Sequence, residues 1–489
     1  MLLDWYNNGL AEAYIIFEKK YSAPKGTKNF DRGIGIKKEF EKLQTNGNEF
    51  EKFLDKYEEE PFGNVRIKIE KGQRKPYYDL KNLFPRSSKQ RIKPDKDFWK
   101  VINFTVDLEN EKCSICGSEG VKKNTVLLYP FERKIVNYFP SFKEKDRLKL
   151  CMLHQKICFY SFGNIFYNMS GEKPDYRVSI FYPSSEDFEK IATLAKRLQQ
   201  IRISNIENNF FQNIRPEGIS TYYPYEFLYP SMFSFYCWSL GREKEKREIV
   251  NVLSDVKVEL VSYLTGKLDI FDTCASITRL DDLFRIFDKF DRNLKVVNGR
   301  TRAKGKKSFG LKEVFNRFFN NLTIDGKNFE DKNKLREQWI KCLLQKHKVD
   351  YITLNEIVMD NIRTQWKKGE RYRFIGFYNL IIKSILEVIN MDELKMFEQV
   401  NGMGYSLGKR AEDTLGESVL WDVFRTRTAE DFIETLVRTQ VKMRTSLDLR
   451  KIQENKSQWR EVKAILLNGM ANALFARKEE GTKKERGGK

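Results

Sequence analysis

The sequence predicts an α+β protein: a mixed N-terminal domain, interrupted by a cysteine-rich module, followed by an all-α C-terminal helical bundle. Three observations carry this. Short apolar runs such as YRVSIFYP at 176–183 alternate with helix-periodic stretches in the N-terminal two thirds. Within that region the pairs Cys113/Cys116 and Cys151/His154 stand on either side of a long interval. From about residue 311 onward the apolar spacing is helical almost to the end.

Taken in order, Leu10, Tyr14 and Phe17 share one helical face near the start. VRIKIE, within 61–70, alternates apolar and basic residues as a half-exposed strand does. The segment after it, KGQRKPYYDLKNLFPRSSKQRIKPDK, has the Pro, Gly and Ser of turns and loops. TVLLYPF reads as a short buried strand, and LKLCMLHQKICFYSF as a turn running into a helix. EDFEKIATLAKRLQQI is helix-periodic, the aromatics of 210–240 suit core packing, and 243–296 read as helical. VNGRTRAKGKKSFG at 297–310 reads as a basic loop, since nothing in it builds a core. Later come IGFYNLIIKSILEVI, a capping box at Thr428–Asp431, and a final amphipathic helix marked by Trp459, Val462, Ile465 and Leu466. The expected divisions are 1–109 (α+β with basic loops), 110–165 (the cysteine-rich module), 166–355 (the rest of the N-terminal body), 356–477 (the helical bundle) and 478–489 (a disordered charged tail).

Two short ligand pairs separated by an interval are what a structural zinc site requires, because each pair comes from one tight turn and the two turns close a tetrahedron. Cys113, Cys116, Cys151 and His154 are the candidate ligands, with Cys158, one helical turn beyond His154, as an alternative fourth. Gly117 suits the first turn because glycine accepts positive φ without steric cost. The competing reading is a set of buried free thiols. Seven cysteines, an odd number with four of them clustered, suit a reducing compartment with a structural Zn2+ and not a disulfide framework. No signal peptide and no run of membrane-spanning length is evident, so a cytoplasmic location is expected.

The 489 residues carry a formal net charge of +21, which favours a polyanionic partner, nucleic acid first. Three basic stretches are candidates for phosphate contact: Arg74, Lys75, Arg86 and Arg91 in 61–100; Arg300, Arg302, Lys304, Lys306 and Lys307 in the presumed loop; and Arg363, Lys367, Lys368, Arg371 and Arg373, interleaved with Trp366 and Tyr372. With only two histidines, His154 in the cluster and His347 at an expected helix end, histidine-based acid–base chemistry is disfavoured and no catalytic residue is expected. NGMGYSLGKR at 401–410 is not a phosphate-binding loop, since Met403 stands where glycine is required and Arg410 where a hydroxyl should bind magnesium. Its glycines read as a loop between helices.

Together, DWYNNGLAEAY near the start, CSICG at 113–117, CMLH at 151–154 and the helical C-terminal third resemble the large subunit of type I, I-B-like CRISPR effector complexes (Cascade), the group with paired CxxC motifs. His154 departs from that pattern at the fourth position. The resemblance implies a non-catalytic subunit at the 5′ handle of a guide RNA, which recognises a protospacer-adjacent motif in duplex DNA and supports R-loop formation. It implies as partners repeated backbone subunits, other Cascade subunits, and a recruited helicase-nuclease or transposition protein. Small subunits made by internal translation of the same gene are also implied, with Met359, Met391, Met396 and Met403 as candidate starts. The alternatives are a stand-alone zinc-dependent nucleic-acid-processing enzyme and an unrelated zinc-ribbon RNA-binding protein.

Overall fold

A computed structural model describes residues 2–21, 32–57, 67–70, 73–76, 112–118, 150–170, 177–204, 218–264, 271–303, 308–326, 328–367, 375–446 and 448–481. The architecture is α+β, as the sequence predicts, and the chain divides into two compact units. The first comprises Met1–Arg215 and Tyr222–Asp281; the second comprises Pro216–Thr221 and Asp282–Lys489.

The first unit is built on a four-stranded antiparallel sheet in the order β3-β4-β5-β6: β3 Phe166–Ser170, β4 Arg177–Ser184, β5 Lys257–Leu264 and β6 Phe271–Ile277. The register sets Phe166 opposite Phe181, Val178 opposite Tyr263 and Val258 opposite Ile277. Every residue of β4 is buried, so both faces of this strand are covered. Neighbouring residues of a strand point to opposite faces. Tyr182 meets Trp5 of α1 (Leu2–Lys20) edge-on at 5.3 Å, while Phe181 meets Phe227 of α6 (Pro224–Ser239) at 5.1 Å. The sheet therefore lies between α1 on one side and α6 on the other. Helix α5 (Phe188–Ser204) adds Ile191, Ala192 and Ala195 to the Tyr182 side. Helix α7 (Glu243–Leu253) leads into β5.

On the α1 side, α2 (Arg32–Thr45), α3 (Gly47–Lys56) and α4 (Met152–Tyr160) complete an aromatic core of Trp5, Tyr14, Phe40, Phe50 and Phe162. Helices α1 and α4 cross at Gly9, where a Cβ would lie 1.9 Å from the carbonyl oxygen of Ile157. Only glycine permits that approach. Lys156 of α4, nearly buried, pairs with Glu51 (2.7 Å) and Asp55 (2.6 Å) of α3. A polar seam runs through the same core. Asn8 donates to the Ser161 carbonyl (3.2 Å), Asn164 donates to the Asn8 carbonyl (3.1 Å), and Gln199 donates to both Glu12 (3.0 Å) and Asn164 (2.9 Å). Burying these groups without partners would cost about 1–3 kcal/mol each.

The described elements of the second unit are all helical. They are α8 (Leu280–Ala303), α9 (Leu311–Asn321), α10 (Phe329–Lys346), α11 (Tyr351–Lys367), α12 (Ile375–Ile389), α13 (Met391–Thr414), α14 (Ser418–Arg425), α15 (Ala429–Met443), the single turn α16 (Arg450–Glu454) and α17 (Trp459–Gly481). The closest pair is α13 with α17. A Cβ on Gly404 would lie 2.1 Å from the Leu466 carbonyl oxygen, one on Gly408 2.5 Å from that of Met470, and one on Gly469 2.2 Å from that of Asn401. The NGMGYSLGKR glycines are thus not a loop. Gly404 and Gly408 are the face of a helix pressed against another backbone, while Gly402 faces open space.

Other expectations need correction. The 243–296 stretch is not continuously helical, because β5 and β6 lie within it. Residues 297–303 complete α8 and are not a loop, while 304–307 lie outside the described residues. β1 (Ile67–Glu70) pairs with β2 (Gln73–Pro76), so the start of the expected loop segment is a second strand. TVLLYPF lies outside the described residues. Thr428 caps α15 by accepting from the Asp431 amide (3.1 Å), but the Asp431 carboxylate reaches the amide of Arg427 (3.0 Å), one residue short of a closed box. Among the described residues no helix is long and apolar enough to cross a membrane.

Candidate metal centre

The first half of the centre is a six-residue knuckle. The Gly117 amide donates to the Cys113 carbonyl (2.9 Å), and the Cys113 amide donates to the Ser118 carbonyl (2.5 Å). Gly117 takes φ +76, the left-handed conformation that its sequence position suggested. The knuckle turns both sulfurs to one side, with Cys113 buried and Cys116 exposed. Ile115 packs onto the core of the first unit and anchors the turn there.

The second half is the start of α4. Cys151 is the residue before the first helical turn, in extended conformation (φ −66, ψ 165), and His154 is the third helical residue. Cys151 stands where free amides and the helix dipole favour negative charge on sulfur. The rest of α4 is buried from His154 to Tyr160, which fixes this helix end against the core. Gln155 donates to the Leu150 carbonyl (2.7 Å) and holds the entering chain.

These halves bring the ligand atoms of Cys113, Cys116, Cys151 and His154 within 4.8 Å of one another. Cys116 Sγ lies 3.8 Å from Cys151 Sγ; His154 Nδ1 lies 2.9 Å from Cys151 Sγ and 3.7 Å from Cys113 Sγ. The Ser118 hydroxyl lies 2.8 Å from Cys116 Sγ. Cys113 and Cys151 titrate as a pair: the Cys151 hydrogen bond, with help from His154, pulls the Cys113 thiol down, and the same bond with burial pushes Cys151 up. Binding a cation here would release the remaining thiol protons, since thiolates are the ligands. The group can hold a metal ion with four protein ligands.

The geometry groups only one of the two candidates for the fourth ligand with the three sulfurs. His154 is in the group; Cys158 is not. Cys158 is fully buried in the apolar core, where desolvation pushes its thiol up. Sequence reading missed Tyr6, whose ring lies 5.1 Å from the His154 ring. Burial, then the sulfurs of Cys158, Cys151, Cys116 and Cys113, push the Tyr6 phenol up to about 12. Its place on the opening helical face was the available signal.

The basic candidates are scattered through the chain. Arg74 and Lys75 lie in β2, opposite Ile69 and Lys68. Arg300 is exposed on α8, and Arg302 belongs to the same helix. Arg363 is exposed on α11, and Lys367 ends that helix. Arg86, Arg91, Lys304, Lys306, Lys307, Lys368, Arg371 and Arg373 lie outside the described residues. His347 caps α10 in the left-handed conformation (φ 48), at the helix end where it was expected.

No family model matches the chain, and comparisons with curated proteins and with solved structures returned no match.

Proposed function

We propose that this chain is the non-catalytic large subunit of a type I CRISPR RNA-guided surveillance complex, with a structural zinc ion at Cys113, Cys116, Cys151 and His154. The CRISPR assignment rests on the sequence resemblance; the observation supporting its non-catalytic, structural-metal part is the closed character of that cluster. All four ligands come from the protein and two of the residues are buried, so a bound ion has no open position for an activated water. Zinc suits three sulfurs and one nitrogen. Sulfurs about 2.3 Å from zinc stand about 3.8 Å apart in a tetrahedron, the separation of Cys116 and Cys151. The Cys151–His154 contact at 2.9 Å is shorter than the ~3.5 Å edge that zinc sets. When bound, zinc supplies folding energy to the first unit, not chemistry.

In this reading the net charge of +21 serves the guide RNA handle and the target DNA. The protein reads the short adjacent motif and the backbone, base pairing reads the rest, and cleavage or transposition passes to a recruited partner. Purification from the native host tests it. The protein should bring down a guide RNA and a repeated backbone subunit, and RNA-free, solitary protein would sink the proposal. Duplex binding should weaken steeply with salt, by roughly 10³-fold or more between 50 and 200 mM if six or more phosphates are contacted.

A further inference from the structure

The second unit contains a cavity of about 860 Å³, within the ~300–1,000 Å³ range of small-molecule sites. One wall is a single face of α11: Glu356, Met359, Asp360 and Arg363, spaced i, i+3, i+4 and i+7. The other is Trp421, Phe424 and Arg425 of α14. The Trp421 and Phe424 rings stand perpendicular at 5.9 Å, so a flat ligand can lie on one face and meet the edge of the other. Lys463 fixes this wall by donating to the carbonyls of Phe424 (2.8 Å) and Thr426 (2.6 Å) at the end of α14.

The charges of the cavity are not spent on each other. Glu356, Arg363 and Arg425 form no hydrogen bond or ion pair with another described residue. Asp360 uses one carboxylate oxygen on the Asp325 amide (2.7 Å). The Glu356 carboxyl is lifted above its ordinary value by partial burial and then by Asp350. The matching ligand has an aromatic plane, hydrogen-bond donors for a carboxylate and an anion for arginine.

We propose that this cavity binds one unpaired nucleotide of a single strand, with guanine the favoured base; the proposal rests on the nucleic-acid reading above. The base lies against Trp421 or Phe424, as bases do on aromatic platforms. Its edge faces Glu356. A carboxylate only accepts, and guanine alone offers two adjacent donors, N1–H and the 2-amino group; uracil flanks its single ring donor with two carbonyls that repel the carboxylate. Arg363 and Arg425 take the phosphate. Glu356 and Arg363 are two turns apart, about 10 Å along the axis, a span that a nucleoside monophosphate covers from base edge to phosphate.

The test titrates the full chain with GMP, inosine monophosphate, UMP and guanosine by calorimetry, beside a mixed-sequence 20-nucleotide single strand. GMP should bind about tenfold more tightly than UMP, with inosine monophosphate between them. Glu356→Gln should erase the preference, and Arg425→Ala should weaken GMP but not guanosine. Trp421→Phe, which keeps a ring, should bind GMP within a few-fold of wild type; circular dichroism checks the fold of each variant. Equal affinity for GMP and UMP, or a preference untouched by Glu356→Gln, overturns the site. Strand binding without mononucleotide binding overturns the site and leaves the nucleic-acid reading intact. GMP binding without strand binding overturns both the nucleic-acid reading and the single-strand occupant, leaving only a mononucleotide pocket, and absence of both ends both.

Discussion

The first unit joins segments far apart in sequence through a few specific polar groups. The Asn8–Ser161 and Asn7–Ser185 hydrogen bonds span 153 and 178 positions, and the Cys/His cluster brings the knuckle to α4. The second unit joins helices at shorter separations as well as long ones, such as Lys348 with Glu461, 113 positions on. Asn361 reaches back 40 positions to Asn321, and Lys463 reaches back 39 to Phe424. Its closest contact is bare backbone, at the glycines of α13 and α17. The Cys/His cluster is a single local tie in the first unit, with no counterpart among the described residues of the second. A single change at the cluster should empty the first unit of structure and leave the second standing.

The largest expected effect is at that cluster. Cys113→Ser, or a chelator, should abolish stoichiometric zinc and lower the stability of the first unit by more than ~5 kcal/mol. Hydrogen exchange should then show loss of protection in α1, α4 and the sheet, with α13 and α17 unchanged. Loss of protection in both units together would break the comparison.

Gly404→Ala probes the second unit. A methyl placed 2.1 Å from the Leu466 carbonyl oxygen forces α13 and α17 apart. The cost should be ~2–3 kcal/mol, read from urea denaturation, and zinc content should not change. Lys156→Ala should cost the first unit ~1–2 kcal/mol. It leaves Glu51 and Asp55 without their cation, but both are solvent-accessible enough to be hydrated.

The smallest effect is Glu356→Gln. A carboxyl raised in the folded state, here by partial burial and Asp350, binds its proton more tightly folded than unfolded. Its contribution is therefore fully favourable below the ordinary value of 4.5 and is lost as pH rises through the raised one. The variant should gain a few tenths of a kcal/mol at pH 7, after solvent screening, and nothing near pH 3.5. A gain at both pH values would remove the charge explanation.

The fold class, the strand at 177–184, helices α1, α5 and α17, and the four clustered ligands were legible because each rests on local periodicity or spacing. β5 was misread although VKVELVSYL alternates, because helix-periodic neighbours on both sides masked an eight-residue run. The α13 glycines were misread because local propensity disfavours glycine in a helix, while the contact that rewards it lies about 60 residues away. Whether His154 or Cys158 completes the cluster was undecidable from spacing alone. Both lie on α4 one turn apart, and only the tertiary core shows which faces the knuckle. The α11–α14 cavity was invisible for the same reason, since its walls come from helices separated by two others.

The place of α1 has a further consequence during synthesis. Trp5 and Ile15 are fully buried, yet the residues that cover Trp5 include Phe162 and Tyr182. At about 5–20 residues per second, α1 leaves the ribosome on the order of ten seconds or more before those partners exist. Through that interval the Trp5 side of α1 waits uncovered, although Phe40 of α2 can already meet Tyr14 and Phe17. The nascent chain should therefore need a holding chaperone at its first twenty residues, and yield should respond more to the rate of translation than to the stability of the finished fold.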